Sequence, residues 1–286
     1  MSGCNHTKLH AGKQGGTNCP ECGYKLSNFR TSARCFNCDY KERGSDGPWA
    51  SGVTAQSSIW DAELIWDSAD PFSINDYKYH DVYEYLKQRC VFDLASTCDQ
   101  LRTCTDQRYL KMRSSGSVLV GRVWHVRIGF IGVHVTRCWC NLGADLPYER
   151  DERRTLGACQ GGGVWLGAVT PDSVLVVGEG IETTLSAMIL WGAPAGVATL
   201  GTEGLKALVL PQAARKVVIA ADNDEPQFHK VTGKKLPDGM DAAKATRRSW
   251  LEGDPNINVE IKMAPGPAPR DWNDVLMSQV TERCHV

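Results

Sequence analysis

Three short stretches carry acids where a sheet would present them. Residues 174–183 read VLVVGEGIET. Val174 to Val177 form an apolar run of the kind that makes a buried parallel strand. Gly178 and Gly180 let the chain turn sharply, and Glu179 stands between them. In open α/β sheets this C-terminal strand edge is where ligands bind. Glu179 can therefore cap the helix that begins at Ile181, or hold a ligand. The second stretch, KVVIAADNDEP, covers 216–226. Val217 to Ile219 read as a strand, and Asp222 and Asp224 follow it. Two aspartates at i and i+2 on an extended segment point the same way. Their charges repel unless a cation lies between them, and hard oxygen ligands favour Mg²⁺ or Mn²⁺. The alternative is a turn with a cap. The third stretch, RDWNDVL at 270–276, opens the last helix. Asp271 suits its N-cap and Asp274 its first turn, yet this is also a third acidic group behind a strand. Three such strand ends on one sheet edge call for a divalent metal, and such a site handles phosphates.

The cysteines form a second pattern. CPECGYKLSNFRTSARCFNC places Cys19 and Cys22, then Cys35 and Cys38, as two Cys-x-x-Cys knuckles. Four thiolates make a closed tetrahedral zinc site of the structural kind. The surrounding segment is poor in aliphatic residues, so the metal would supply its folding energy. Tyr24, Lys25, Phe29, Arg30 and Arg34 lie between the knuckles. They suit a single-stranded nucleic acid, through phosphate contacts and base stacking, or else form a solvated face. Cys4, His6 and His10 are not needed by the zinc. Twelve cysteines in a chain with paired knuckles point to metal rather than disulfides, and those outside the knuckles read as core residues.

These groups need a scaffold, and 286 residues suffice for two or three domains. With 32 basic and 33 acidic residues, net charge gives no global sign of a nucleic-acid partner. No apolar run is long enough to span a bilayer, and the N-terminus lacks a signal peptide's apolar core, which predicts a cytoplasmic protein with no membrane partner. The stretch 41–58 reads as a polar linker. HDVYEYLKQRCV, 80–91, has helical spacing, and 117–139 alternates as two or three antiparallel strands. From 174 onward the pattern predicts strand 174–178, helix 181–191, strand 195–199, helix 203–208, strand 216–221, helix 239–252, strand 257–262 and helix 272–281. That alternation implies an α/β fold with a mostly parallel sheet and flanking helices.

GEGIETTLSA, followed by IAADNDE and DWNDVL, resembles the Toprim domain of bacterial-type primases, type IA and II topoisomerases and some nucleases. The order of ribbon, basic region and acidic sheet is similar to that of phage and plasmid primases. GVHVTRCW and RRTLGACQGGGVWL resemble the stretch that precedes Toprim there. The resemblance implies a zinc ribbon at 1–45, a linker at 46–69, a β-rich basic α+β subdomain at 70–168 and a Toprim domain at 169–286. Carried over by position, Glu179 matches the family glutamate and Asp222 and Asp224 the magnesium ligands. Asp271, or Asp274, takes the late acidic position. Thr183 stands where replicative primases often carry an aspartate, with Glu182 just before it.

By the same resemblance, the chain would be a DNA primase that makes short RNA primers on single-stranded DNA by metal-dependent nucleotidyl transfer. It would use nucleoside triphosphates, Mg²⁺ or Mn²⁺ and one structural Zn²⁺, in a bacterial or bacterial-host cytoplasm. A separate replicative helicase is expected, since the chain ends soon after Toprim. Arg122, His125, Arg127, His134, Arg137, Arg153 and Arg154 are candidates for holding triphosphate and template, and Gly161 to Gly163 for a close backbone approach. The rival readings are a Toprim nuclease and a catalytically weak single-strand-binding adaptor.

Overall fold

In a computed structural model of the chain, the described residues are 27–29, 32–34, 41–43, 53–72, 77–105, 117–139, 149–226 and 238–284. The chain divides into two compact units, Met1–Thr54 with Pro226–Leu236, and Ala55–Glu225 with Pro237–Val286. In the first unit, β1 (Ser27–Phe29), β2 (Ser32–Arg34) and β3 (Lys41–Arg43) form an antiparallel sheet in that order. Cys19, Cys22, Cys35 and Cys38 lie outside the described residues, as do Cys4, His6 and His10.

The second unit is built on one nine-stranded sheet. Its parallel half comprises β9 (Val174–Gly178), β10 (Ala195–Ala198), β11 (Lys216–Ala221) and β12 (Asn258–Met263). The strand order there is β12-β11-β9-β10, all parallel. The helices between and after them are α4 (Ile181–Trp191), α5 (Thr202–Ala207), α6 (Gly239–Gly253) and α7 (Trp272–Cys284). Every strand and helix predicted from Val174 onward is present. The β9 residues show why the apolar run is unbroken. Val176 packs into the core beneath α4 and α7, while Leu175 and Val177 pack into the core beneath α5 and α6. A strand covered on both faces has no polar positions to alternate.

The antiparallel half continues the same sheet. It contains β4 (Leu101–Cys104), β5 (Val118–His125), β6 (Gly129–Trp139), β7 (Glu149–Gly157) and β8 (Gly163–Leu166). β8 joins the halves, pairing antiparallel with both β10 and β5. The predicted strands of 117–139 are the β5–β6 hairpin. Two more helices, α2 (His80–Gln88) and α3 (Phe92–Ser96), share the core of α4 and α7. Tyr79, Tyr85, Leu86, Leu119 and Val164 meet there.

One region departs from expectation. The stretch assigned as a linker, 46–69, contains α1 (Val53–Ser68). Ala62, Ile65, Trp66 and Ala69 pack on Cys104, Val118, Val120, Val133 and Val135. Those four fall at i, i+3, i+4 and i+7, a helical stripe, but the polar start of the segment masks it. Among the described residues no helix is long and apolar enough to cross a membrane.

Candidate active site

The parallel register sets the site. Gly178 of β9 is level with Ala198 of β10 and Ala220 of β11, and Ala220 with Lys262 of β12. The residues after these positions emerge along one sheet edge. Gly178 is required by close packing: a β-carbon there would lie 2.5 Å from Thr184 Oγ1. The first turn of α4 therefore sits directly on the strand end. Thr184 donates from both its backbone N and Oγ1 to the Gly180 carbonyl, at 3.0 and 2.7 Å.

Glu179 does not cap α4. The N-cap is Gly180, without a side-chain cap bond. Instead the Glu179 carbonyl accepts from Leu200 N at 2.8 Å, and Leu200 takes a left-handed φ of 66°. A branched residue there costs on the order of 1 kcal/mol, held by the packing of Leu200 on the core. The Glu179 carboxylate points toward the start of α6. A β-carbon at Gly239 would lie 3.0 Å from Glu179 Oε1 and 3.4 Å from Asp224 Oδ2. α6 is capped independently by Asp238, whose side chain accepts from Asp241 N at 2.9 Å.

Asn223, between the two aspartates, is held by the loop before α7. Asn223 N donates to Arg270 O at 2.8 Å, and Arg270 N returns the bond to Asn223 O at 3.0 Å. This exchange brings Asp271 beside Asp222. Asp271 does act as a helix cap: Asp274 N donates to its Oδ1 at 2.8 Å, and Asp271 N donates to Asp274 Oδ2 at 3.2 Å. Asp222 has no such role. Its Oδ1 is buried without a hydrogen-bond partner among the described residues.

The electrostatics follow from this crowding. Burial, then the charge of Asp224, pushes the Glu179 carboxyl up to about 7, with Lys206 opposing. Burial, then Asp271, Glu179, Asp224 and Asp274, pushes Asp222 up to about 8. Burial also raises Asp271, against the backbone N–H of Asp274 and the charge of Arg89. Among the described residues no Lys, Arg or His makes an ion pair with Glu179, Asp222 or Asp224. Among the same residues no three acidic, imidazole or thiol side chains converge at ligating distance. The acids are neighbours, and their charge is unbalanced.

Residues 174–282 match the family model of the Toprim domain. This part of the chain is a Toprim domain. It spans β9 to α7 and contains all the acids just described. No curated protein matches the chain by sequence. Among solved structures, the chain is similar to the primase fragment of the bacteriophage T7 primase-helicase protein, with 12% identity over 94% of this chain and 97% of that one, at a TM-score of 0.37. It is similar to the zinc-binding and RNA polymerase domains of the Aquifex aeolicus primase, with 14% identity, 97% and 79% coverage and a TM-score of 0.41. It is also similar to a DnaG primase catalytic domain bound to single-stranded DNA, with 13% identity, 82% and 81% coverage and a TM-score of 0.45.

The basic residues singled out before the Toprim domain divide by burial. Arg153 and Arg154 are exposed on β7. Arg122 is partly exposed, its guanidinium 4.4 Å from the Trp124 ring and 5.6 and 5.9 Å from those of Trp66 and Phe130. Arg137 is 2% and His134 8% exposed, so neither presents a surface to a ligand. His134 Nδ1 instead shares a hydrogen bond with Thr155 Oγ1. His125 Nδ1 accepts from Arg127 N and Ile128 N, which closes the β5–β6 turn. Gly162 and Gly163 make room for protein: β-carbons there would lie 2.6 Å from Ile131 Cδ1 and Val197 Cγ2.

Sequence reasoning missed several residues around the Toprim acids. Lys206 on α5 acts electrostatically on Glu179. Asn273, fully buried on α7, donates to Arg89 O at 2.7 Å and Ser186 Oγ at 2.9 Å, and accepts from Arg89 Nη1 at 3.2 Å. Tyr85 donates to Glu182, and burial followed by the Glu182 charge pushes its phenol well above the ordinary value. Only the carboxylates had a local signal, since the others are made by partners distant in sequence.

Proposed function

We propose that the chain is a DNA primase of the phage or plasmid type, making short RNA primers on single-stranded DNA. The observation that carries this reading is the crowded, unbalanced group of half-buried Glu179 and Asp222 with exposed Asp224 at the C-terminal edge of the Toprim sheet. Like charges in that position are relieved by a cation or a proton. The donors are all hard oxygens, and Asp222 Oδ1 is buried without a hydrogen-bond partner among the described residues, so the set fits Mg²⁺ or Mn²⁺. Glu179, Asp222 and Asp224 would hold the metal, with Asp271 beside them.

Primer synthesis joins a 3′-hydroxyl to the α-phosphate of a nucleotide; the hydroxyl loses its proton and pyrophosphate leaves. A divalent cation bound at these acids supplies Lewis acidity to the phosphate and lowers the pKa of the attacking hydroxyl. The backbone bond to Leu200 fixes Glu179, and the Asn223–Arg270 pair fixes Asp222 and Asp224. Both act by pre-orienting the acids before substrate arrives. Arg153, Arg154 and Arg122 supply positive charge for triphosphate and template. Cys19, Cys22, Cys35 and Cys38 would hold one structural zinc, and the ribbon would select the template site. The protein would act with a separate replicative helicase.

The test is primer synthesis by zinc-loaded protein on random-sequence single-stranded DNA, with labelled nucleoside triphosphates and Mg²⁺ or Mn²⁺. Short products from the wild type and none from Asp222→Ala or Asp224→Ala are expected. Degradation of the DNA instead would establish a nuclease, and tight single-strand binding with neither reaction would establish an adaptor.

A further inference from the structure

Glu182 is an acid of a different kind from its neighbours. It lies in the first turn of α4 and is 5% exposed. Tyr85, fully buried on α2, donates from its hydroxyl to Glu182 Oε1 at 2.7 Å. The other oxygen, Oε2, faces Arg153 Nη2 at 3.8 Å. The Glu182 charge is thus balanced locally, while Glu179, Asp222 and Asp224 make no ion pair with a described cation. A carboxylate held by a hydroxyl and a guanidinium is poorly placed to serve as one more metal oxygen.

The pairing is long-range. Arg153 stands on β7, the end strand of the antiparallel half, five strands from β9 along the sheet. The sheet must curl for it to reach α4. Glu182 is what Arg153 meets there. Glu182 Oε2 lies 3.6 Å from where a β-carbon on Gly180 would stand, and Gly180 follows Glu179. The Arg153 side chain remains 37% exposed. A guanidinium has five N–H donors in a planar fork, so one edge can face Glu182 while the other meets a phosphate.

We propose that Glu182, held by Tyr85, is a positioning residue that seats Arg153 at the rim of the site to receive the phosphates of an incoming nucleoside triphosphate. This rests on the primase reading above. Glu182 touches no substrate and acts through Arg153.

The test is steady-state primer synthesis by the full chain on single-stranded DNA, with nucleoside triphosphate varied. The variants are Arg153→Gln, Glu182→Gln, Tyr85→Phe and the double variant Glu182→Gln/Arg153→Gln. Arg153 is exposed, so its replacement is compatible with folding, and Tyr85→Phe removes only a hydroxyl. Loss of one charge-assisted contact predicts a KM for nucleotide raised about tenfold in Arg153→Gln. A smaller rise of about three- to fivefold is expected in Glu182→Gln and Tyr85→Phe, with kcat within about twofold. If Glu182 acts through Arg153, the double variant matches Arg153→Gln alone. Multiplying losses in the double variant would overturn the proposal. So would a fall in kcat with altered metal dependence in Glu182→Gln, or an unchanged KM with weakened binding of a labelled single strand. A wild type that makes no primer removes the primase reading and this inference together; an active wild type with multiplying losses removes the inference alone.

Discussion

Glu179 and Gly239 meet across the mouth of the Toprim sheet, where a β-carbon on the glycine would lie 3.0 Å from Glu179 Oε1. Gly239 is the first residue of α6 and carries no left-handed φ. Alanine therefore suits its backbone, and by conformational entropy alone would stabilise the chain by about 0.5 kcal/mol. The added methyl must instead push Glu179 or Asp224 aside. Gly239→Ala should leave Tm within about 3 °C of wild type while lowering primer synthesis about tenfold. Thermal melting beside the synthesis assay separates the two. A full-activity variant would show that Glu179 need not hold its place.

Asp222 makes the site costly for the protein itself. Its pKa is raised to about 8 and that of Glu179 to about 7, through burial and mutual repulsion. A carboxyl whose folded pKa exceeds its unfolded value binds more protons folded than unfolded. Its stabilising contribution is complete below the unfolded carboxylate range and is lost as pH rises through the folded pKa. Without divalent metal, the Toprim domain should melt lower at pH 8.5 than at pH 6. Asp222→Asn, nearly the same shape, should flatten this dependence and raise Tm at pH 8.5, on the order of 5 °C. It should also weaken the stabilisation by Mn²⁺ seen in the wild type. Buffers free of Mg²⁺ and Mn²⁺ should be used rather than a chelator, which would also strip zinc. A pH-independent Tm from the wild type would contradict the crowding.

The Toprim half was legible because its strands are buried on both faces and its helices follow each strand in turn. VLVV and KVVIAA admit little else, and Glu179, Asp222 and Asp224 sit where such strands end. The antiparallel half was harder. Strand alternation suggests that one face of β6 is open, yet Val133, Val135 and Cys138 are fully buried and Arg137 is 2% exposed, because helices cover both sides. No local signal separates Arg137 from Arg153. β8 is four residues long, and only its pairing shows that the two halves share a sheet. The Tyr85–Glu182 bond joins residues 97 apart in the chain, a relationship that spacing cannot reveal.

Asn273 ties the late acidic pair to the rest of the unit. It is fully buried, spends its amide donors on Arg89 O and Ser186 Oγ, and accepts from Arg89 Nη1. Alanine would leave the Arg89 carbonyl and the Ser186 hydroxyl without that partner in the core. Asn273→Ala should cost about 2–4 kcal/mol, in the range for buried groups that lose hydrogen bonds. Urea unfolding followed by intrinsic fluorescence would measure it. Because α7 also positions Asp271, nucleotide incorporation should fall even at temperatures where the variant remains folded.

Arg122 and Arg137 should separate binding from folding. The Arg122 guanidinium is framed by Trp66, Trp124 and Phe130, and makes no ion pair among the described residues. Aromatic walls restrict its rotamers without neutralising it, which leaves its charge for a phosphate. Arg137 is buried within β6, and its removal leaves a hole in the core. Arg122→Gln should weaken single-stranded DNA binding about fivefold, with Tm nearly unchanged. It should also reduce the slope of log affinity against log salt by roughly 0.7, the value for one phosphate contact on a single strand. Arg137→Gln should lower Tm by several degrees, about 2 °C or more for each kcal/mol lost. Its salt slope should stay that of the wild type in the fraction that remains folded. Fluorescence anisotropy of a labelled oligonucleotide across a salt series decides it. An unchanged slope in Arg122→Gln would assign this arginine to packing α1 against the sheet.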